Sequence, residues 1–392
     1  MDRRQLLAAG GSLFALTGCA NMGMGMGGGS PAGLSPEALA RDAEIARAVL
    51  PQQTPRAELL QTWTGPYEGV PPWPSVTADK LKVAIVEGIE LQRAEVNAIA
   101  DNPEPPTFAN TMVAMQMAGE PLGRALSLFG VMSSNIGSPD YQAVQREVSP
   151  LLSAASDETT FNARLFARIK AVADGARAAG LTPEQTRIAE RSRDSFTRNG
   201  AALDAAGKAE LGRINSALSS AFTRFGQAVV ADENTWTVLT DESQTAGLPA
   251  SNKAAAAAAA RDRNIEGWAI VNTRSSVDPY LSFADDRAMR EVVWRKFVNR
   301  GDNGDANDTN ATIAEIVKLR AERARLLGYA HHAEWRMQDT MAKTPEAAMD
   351  LMMRVWEPAK ARVAEEVADM RAIAGHDIEP WDYLYYAEKV RK

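Results

Sequence analysis

Four short segments with the order hydroxyl residue, proline, carboxylate constrain the fold of this chain more than any other feature. They are Ser35-Pro36-Glu37, Ser138-Pro139-Asp140, Thr182-Pro183-Glu184 and Thr344-Pro345-Glu346. At a helix start the hydroxyl accepts from free backbone N–H groups, proline loses no hydrogen bond, and the carboxylate meets the positive end of the helix dipole. Gln185 completes a capping box with Thr182. The pattern predicts an all-α, mostly helical fold.

Apolar residues at helical spacing form three stripes. The first contains Leu81, Ile85, Ile89, Val96 and Ile99, and the second contains Leu211, Ile214, Leu218, Phe222, Phe225 and Val229. The third helix is predicted to start at Thr312 and Glu315, to carry Ile313, Ile316, Val317 and Leu319, and to close at Gly328. Because packing such a stripe removes apolar surface from water, we predict that all three face the core.

Three other segments have distinct local predictions. Ala254 to Ala260 is a run of seven alanines and is predicted to be a solvent-facing helix segment. Trp268-Ala269-Ile270-Val271 is followed by Asn272 and predicts a small β element near 268–272. Residues 63–73 contain three prolines and two glycines, which exclude a helix. Their three aromatic residues predict that this segment packs onto the body of the protein.

The N-terminus is typical of a bacterial lipoprotein signal peptide, which we assign to residues 1–19. Arg3 and Arg4 precede an apolar stretch, and Leu16-Thr17-Gly18-Cys19 has the form of a lipobox. Cys19, the single cysteine, is therefore the predicted lipidation residue, and an intrachain disulfide is excluded. The alternative is a free or core cysteine in a cytosolic protein. The arginine pair also resembles a twin-arginine signal, so both that route and the ordinary secretory route stay open.

These features predict an exported protein that is lipid-anchored on the periplasmic side of the cell envelope. Ala20 after the lipidated position favours the outer membrane. Residues 20–55 are expected to hold a flexible tether, which includes NMGMGMGGGS at 21–30, and a first helix. The Met-Gly repeat could be interpreted as a copper(I) site, but it has no Cys or His beside its thioethers. The formal net charge is −7 without a basic cluster, which argues against nucleic acid as a partner.

An Asp/Asn-rich loop, residues 301–308, follows arginines at positions 287, 290, 295 and 300. Its composition suggests either a calcium site or a capped loop between two helices. It has no closing Glu of the twelve-residue calcium loop, and helical signals resume at once, so we favour the capped loop.

Several motifs in a fixed order resemble the thimet oligopeptidase family of zinc metallopeptidases. They are Arg300-Gly301-Asp302-Asn303, Leu319-Arg320-Ala321-Glu322, Leu326-Leu327-Gly328-Tyr329, His332-Ala333-Glu334-Trp335-Arg336, Met341 to Glu346, Trp381-Asp382-Tyr383 and Tyr385 to Arg391. Upstream, Trp63 to Tyr67, Gly69 to Pro72, Pro105 to Phe108, Asn110-Thr111 and Gly247-Leu248-Pro249 resemble its bacterial peptidyl-dipeptidase branch. The likeness extends from about residue 60 to the end.

The resemblance implies a two-lobed helical fold that encloses a deep channel with zinc at its floor. Residues 56–260 would form the N-terminal helical lobe, and residues 261–392 the start of the catalytic domain. In the family, two histidines of an H-E-x-x-H motif and a downstream Glu bind Zn²⁺, which acidifies a water. The substrates are unstructured oligopeptides, from which this branch releases C-terminal dipeptides.

The three histidines of this sequence, His331, His332 and His376, do not belong to an H-E-x-x-H motif. Side chains of adjacent residues diverge by about 100° on a helix, so His331 and His332 cannot chelate one ion together. No catalytic or metal residue is assigned. We therefore expect the N-terminal portion of an exported peptidase, an incomplete form of the fold that binds no zinc and is inactive alone. The alternatives are a non-catalytic helical lipoprotein that binds peptides or proteins, and one half of a split enzyme.

Overall fold

The computed structural model describes residues 35–67 and 69–392, and helices dominate them. The helices are α1 (Pro36–Val49), α2 (Ala78–Ala100), α3 (Ala114–Met117), α4 (Glu120–Asn135), α5 (Pro139–Phe161), α6 (Ala163–Gly175), α7 (Pro183–Arg198), α8 (Ala205–Glu233), α9 (Ala250–Arg261), α10 (Arg274–Phe283), α11 (Arg287–Val298), α12 (Asn310–Leu326), α13 (His332–Met337), α14 (Pro345–Ala374) and α15 (Tyr383–Arg391). Strands β1 (Trp236–Leu239) and β2 (Trp268–Val271) form one sheet, and short 3₁₀ or π segments lie at Glu58–Leu60, Trp73–Ser75, Phe108–Val113 and Glu242–Thr245. The predicted helical fold is confirmed. The predicted signal peptide, Cys19 and the glycine-rich segment lie outside the described residues.

The chain divides into two compact units. The first contains the described residues up to Thr223 together with Leu319–His331, and the second contains Arg224–Lys318 and His332–Lys392. Both α8 and α12 contribute residues to each unit. The sequence analysis placed a boundary after residue 260, whereas the compact units divide inside α8. The assignment of functional domains stays a prediction.

Two apolar clusters form the core of the first unit. One joins α2 to α4 and α5 and contains Leu81, Ile85, Leu122 and Leu128. The other contains Ile99 of α2 with residues of α1, α6 and α7. The stripe predicted on α2 is thus confirmed, because its five members are all buried.

The second unit contains a short antiparallel pair of strands, which are separated in the chain by a connection that contains α9. Trp236 of β1 lies opposite Val271 of β2. Leu239 and Ile270 from these strands pack in one cluster with Tyr280 of α10 and Val293 of α11. The β element near 268–272 is therefore confirmed. Its partner β1 was not predicted, because four residues directly after a long helix give too short a pattern to separate from that helix.

The predicted helix starts are confirmed. Ser35, Thr182 and Thr344 each accept a backbone N–H with the side chain, and Gln185 completes the capping box of α7. Ser138 occupies the same position before α5 without a side-chain bond. Proline at the first helical turn accompanies all four.

Three sequence predictions are wrong in part. The alanine run is helical, but Ala256 and Ala260 are buried, because a methyl side chain lets α9 approach β2 closely. In the predicted stripe of α12, Ile316 and Leu319 are buried as expected, but Ile313 and Val317, which lie one turn apart on the same side, are exposed. Tyr67 is 95% exposed, so the extended segment does not pack all of its aromatics onto the body.

Candidate functional site

Two of the three histidines, His332 and His376, make local structural contacts. His332 begins α13, and its ring lies 5.5 Å from that of Trp335, centroid to centroid. His376 Nδ1 lies 2.7 Å from the backbone oxygen of Asp377, and Nε2 lies 3.2 Å from the hydroxyl of Tyr386. Across residues 35–67 and 69–392, no group of three His, Cys, Asp or Glu side chains is placed to hold a metal ion. The described side chains therefore do not fit the zinc ion that the family resemblance implies.

The Asp/Asn-rich loop closes around a buried carboxylate from another element. Asp232, near the end of α8, is 3% exposed. Its Oδ2 accepts from the backbone N–H of Gly301 at 2.6 Å and from Asn303 at 3.0 Å, and its Oδ1 accepts from Asn307 at 3.0 Å. The prediction of a capped interhelix loop is confirmed. Sequence analysis missed Asp232, because nothing in its own neighbourhood points to a loop some 70 residues away.

A charge cluster joins α11 to the start of α15 in the second unit; Arg290 and Asp382 are buried, whereas Arg287 is exposed. Arg287 donates to both carboxylate oxygens of Asp382, at 2.7 Å from Nη2 to Oδ2, and Arg290 Nη2 donates to Oδ1 at 2.9 Å. The N–H of Glu379 also donates to Asp382, at 3.2 Å. Burial raises the pKa of Asp382, but the hydrogen bonds from the two guanidinium groups outweigh it and hold the pKa below its usual value.

Arg290 is the centre of this cluster. Its Nη1 donates to the backbone oxygen of Ala284 at 2.8 Å, and its guanidinium lies 4.1 Å from the ring centroid of Tyr385. The hydroxyl of Tyr385 donates to Asp285 at 2.6 Å. Burial raises the pKa of that hydroxyl. Sequence analysis found both the arginine series and the Trp-Asp-Tyr motif, but no pattern in the sequence pairs them.

The other two arginines of the series differ in burial, since the side chain of Arg295 is 58% exposed and that of Arg300 is 11% exposed. Arg295 pairs with Glu291 at 2.8 Å and lies over the ring of Trp381. Arg300 contacts Glu233 at 3.3 Å and stacks on Phe297. Together, the contacts of the four arginines hold α11 in its position within the unit. These contacts do not identify any of the four as a residue that acts on a substrate.

Helix α14 is exposed through its middle. All residues from 351 to 365 are exposed, which is four turns of one helix. A methionine–tryptophan stripe, defined here as Met349, Met352, Met353, Trp356 and Val363, runs along one side, and each member is 46–56% exposed. Exposed apolar surface of this kind marks contact surfaces more often than solvated ones.

Over the described residues, the two units are mostly helical, with one two-stranded sheet in the second. Residues 281–392 match the family described as Peptidase family M3. The dipeptidyl carboxypeptidase of Escherichia coli (strain K12) is 34% identical over 316 residues, which are 79% of this chain and 46% of the relative. Its counterpart in Salmonella typhimurium is 32% identical over the same share of each chain.

The oligopeptidase A of Escherichia coli is 27% identical over 337 residues, 83% of this chain and 49% of that protein. The chain thus spans about half the length of the curated relatives that it matches. It belongs to peptidase family M3, the thimet oligopeptidase family, and lies in the peptidyl-dipeptidase branch over the part that it covers. The family predicted from the motifs is confirmed.

Proposed function

We propose that this chain is the N-terminal portion of a zinc metallopeptidase that removes dipeptides from the C-terminus of oligopeptides. The observation that carries the proposal is the 34% identity with a dipeptidyl carboxypeptidase over 79% of the chain. The match to Peptidase family M3 over residues 281–392 supports the same reaction class.

The chain supplies the scaffold of that enzyme. The hydrogen bonds of Arg287 and the buried Arg290 to Asp382 hold the last segment with family motifs, and Asp232 holds the loop at 301–308. The three histidines lie in other contexts and do not form a zinc site. We therefore assign no step of peptide hydrolysis to the described residues, and we expect the 392-residue chain to be inactive by itself.

The experiment compares two polypeptides. One is the 392-residue chain, and the other joins it to the portion of the Escherichia coli dipeptidyl carboxypeptidase that follows the match. Each is incubated with an oligopeptide and zinc, and products are identified by mass spectrometry. We expect dipeptides from the joined protein and no cleavage by the chain alone. Hydrolysis by the chain alone, release of single amino acids, or a folded, zinc-loaded joined protein that cleaves nothing would each contradict the proposal.

We also propose that the protein is exported and anchored to the cell envelope through Cys19. The support is the arrangement of the arginine pair, apolar stretch and lipobox in residues 1–19. Among the described residues, no helix is both long enough and apolar enough to cross a bilayer.

A further inference from the structure

The sequence contains two Asn-Gly pairs, Asn303-Gly304 in the Asp/Asn-rich loop and Asn199-Gly200 at the end of α7. In such a pair, a bond between the asparagine Cγ and the backbone nitrogen of the next residue would close a five-membered ring. Glycine has no side chain to crowd that nitrogen, so an asparagine before glycine is especially open to attack by its own main chain. The structure places the two pairs in different surroundings.

The pair in the loop is open to this reaction. Asn303 and Gly304 are both exposed and lie outside the helices and strands. Gly304 has φ of +67°, and a Cβ built on it would have no atom within 4 Å. Its backbone N–H donates to Oδ2 of Asp308, a residue of the same loop, at 3.1 Å. The nitrogen that would attack is thus held by a hydrogen bond at the surface, which a local movement of the loop breaks.

The pair at the end of α7 is enclosed. The side-chain N–H of Asn199 donates to the backbone oxygen of Ser195 at 2.8 Å. Gly200 is buried, and a Cβ built on it would overlap the side chain of Leu211. The backbone N–H of Gly200 donates to the oxygen of Thr197 at 3.1 Å. Because a packed contact opens at a higher free energy than an exposed loop, this pair is the protected one.

The side chain of Asn303 also binds the buried carboxylate that closes the loop. Its amide nitrogen donates to Oδ2 of Asp232 at 3.0 Å, and Asp232 is 3% exposed. This bond holds the amide in place, so the folded chain should react more slowly than the unfolded chain. A carboxylate in place of the amide would remove the donor and set a second negative charge beside a buried one, which is unfavourable.

We propose that Asn303 is a site of spontaneous deamidation, and that the reaction releases the loop at 301–308 from Asp232. Hydroxide takes the proton from the backbone nitrogen of Gly304, and that nitrogen forms a bond to Cγ of Asn303. The bond from Cγ to the side-chain nitrogen breaks, and this nitrogen takes a proton from water and leaves as ammonia. Water then opens the succinimide ring to aspartate or isoaspartate. The overall change consumes one water and releases one ammonia.

The test incubates the folded 392-residue chain near pH 8 and digests samples with trypsin, which releases residues 199–208 and 301–318 as separate peptides. Mass spectrometry with fragmentation measures the conversion of each Asn-Gly pair to aspartate and isoaspartate. We expect Asn303 to react at least about tenfold faster than Asn199 in the folded chain. The matched control is the chain unfolded in guanidinium, where both pairs have the same chemistry and should react at similar rates.

Two variants test the effect on the loop. Asn303→Asp carries the product from the start, so its thermal midpoint should lie below that of the fresh wild-type chain. The midpoint of the wild-type chain should drift downwards during the incubation, which reads out the same effect if Asn303→Asp does not fold. Asn303→Gln keeps an amide but needs a larger ring to react, so its midpoint should stay constant over the same time.

Two results would overturn the assignment of the site. They are equal rates at Asn303 and Asn199 in the folded chain, and no reaction at Asn303 over a time in which the unfolded chain reacts. Release of the loop would be overturned by a wild-type midpoint for Asn303→Asp, or by a constant midpoint in wild-type chain that has been converted to aspartate and isoaspartate.

Discussion

Arg290 donates a hydrogen bond to Asp382 over 2.9 Å, across 92 residues of chain, and the two side chains are 1% and 0% exposed. A buried ion pair of this kind contributes little net stability when it is complete, but removing one partner leaves an uncompensated charge in the interior. The pair therefore makes the position of α15 depend on one carboxylate.

Replacing that carboxylate should destabilise the second unit strongly. We expect Asp382→Ala to lower the free energy of unfolding by about 3–5 kcal/mol, because the guanidinium of Arg290 stays buried without its counter-charge. Urea unfolding followed by tryptophan fluorescence measures the change. The control is Asp377→Ala, whose ion pair with Arg371 is exposed and whose loss should cost at most about 1 kcal/mol. Equal costs for the two variants would show that burial of the pair does not matter.

Asp157 in the first unit should lower the free energy of unfolding as pH rises. An ordinary ion-paired carboxylate has the opposite effect. Burial raises the pKa of Asp157 to about 6, although a hydrogen bond from Asn215 at 2.8 Å and the charge of Arg323 lower it. An unfolded Asp has a pKa near 3.9, so the folded state binds the extra proton between these values. The contribution to stability is thus favourable at low pH and is lost as pH rises through about 6.

It follows that Asp157→Asn, which cannot ionise, should stabilise the protein at neutral pH and above. We expect a gain of about 2–3 kcal/mol near pH 8 that shrinks towards zero near pH 4, measured as unfolding midpoints across that range. Glu266→Gln, at an exposed position, is the control and should show no such trend. A gain that is larger at low pH than at high pH would refute the assignment.

Gly247 and Gly123 should respond oppositely to alanine. Gly247 has φ of +81°, and a Cβ there would overlap the backbone oxygen of Phe283, so we expect Gly247→Ala to cost at least about 2 kcal/mol. Gly123 lies inside α4 with open space around its Cα, so Gly123→Ala should gain about 0.5–1 kcal/mol from helix propensity. Thermal unfolding by circular dichroism measures both, and the same sign for both would contradict the reasoning.

The loop at 301–308 should depend on Asp232 and not on calcium. Asp232→Asn places an amide among three donors, so we expect a loss of about 1.5–3 kcal/mol in the free energy of unfolding. Asp302→Asn, at an exposed position in the same loop, should cost less than about 0.5 kcal/mol. Midpoints measured with excess calcium and with excess EGTA should agree; a rise with calcium would restore the calcium site as an interpretation.

Lipid anchoring should depend on one atom, the sulfur of Cys19. We expect the wild-type protein to incorporate labelled fatty acid and to fractionate with membranes, and Cys19→Ala to do neither. Ala20→Ser provides a control that keeps the thiol. A Cys19→Ala protein that stays in the membrane fraction would require another mode of attachment.

Local chemistry made part of this structure predictable. The capping residues Ser35, Thr182 and Thr344 act through hydrogen bonds to their own helices, so their roles follow from sequence neighbours. The α2 stripe is predictable for the same reason, because five apolar residues at helical spacing can be removed from water only together. Ile313 and Val317 show the limit, since periodicity places residues on a face but does not say whether anything covers it.

The sequence by itself determined the helical class, the family and the scarcity of histidines for a zinc site, because each depends on residue identity and short spacing. Only the tertiary structure decided that Asp382 is buried against Arg287 and Arg290, that Asp232 closes a distant loop, and that residues 351–365 of α14 are exposed on every side. The physical reason is that pairing and burial depend on which segments meet in space. Separations of about 70 to 95 residues leave no signal in the local pattern of the chain.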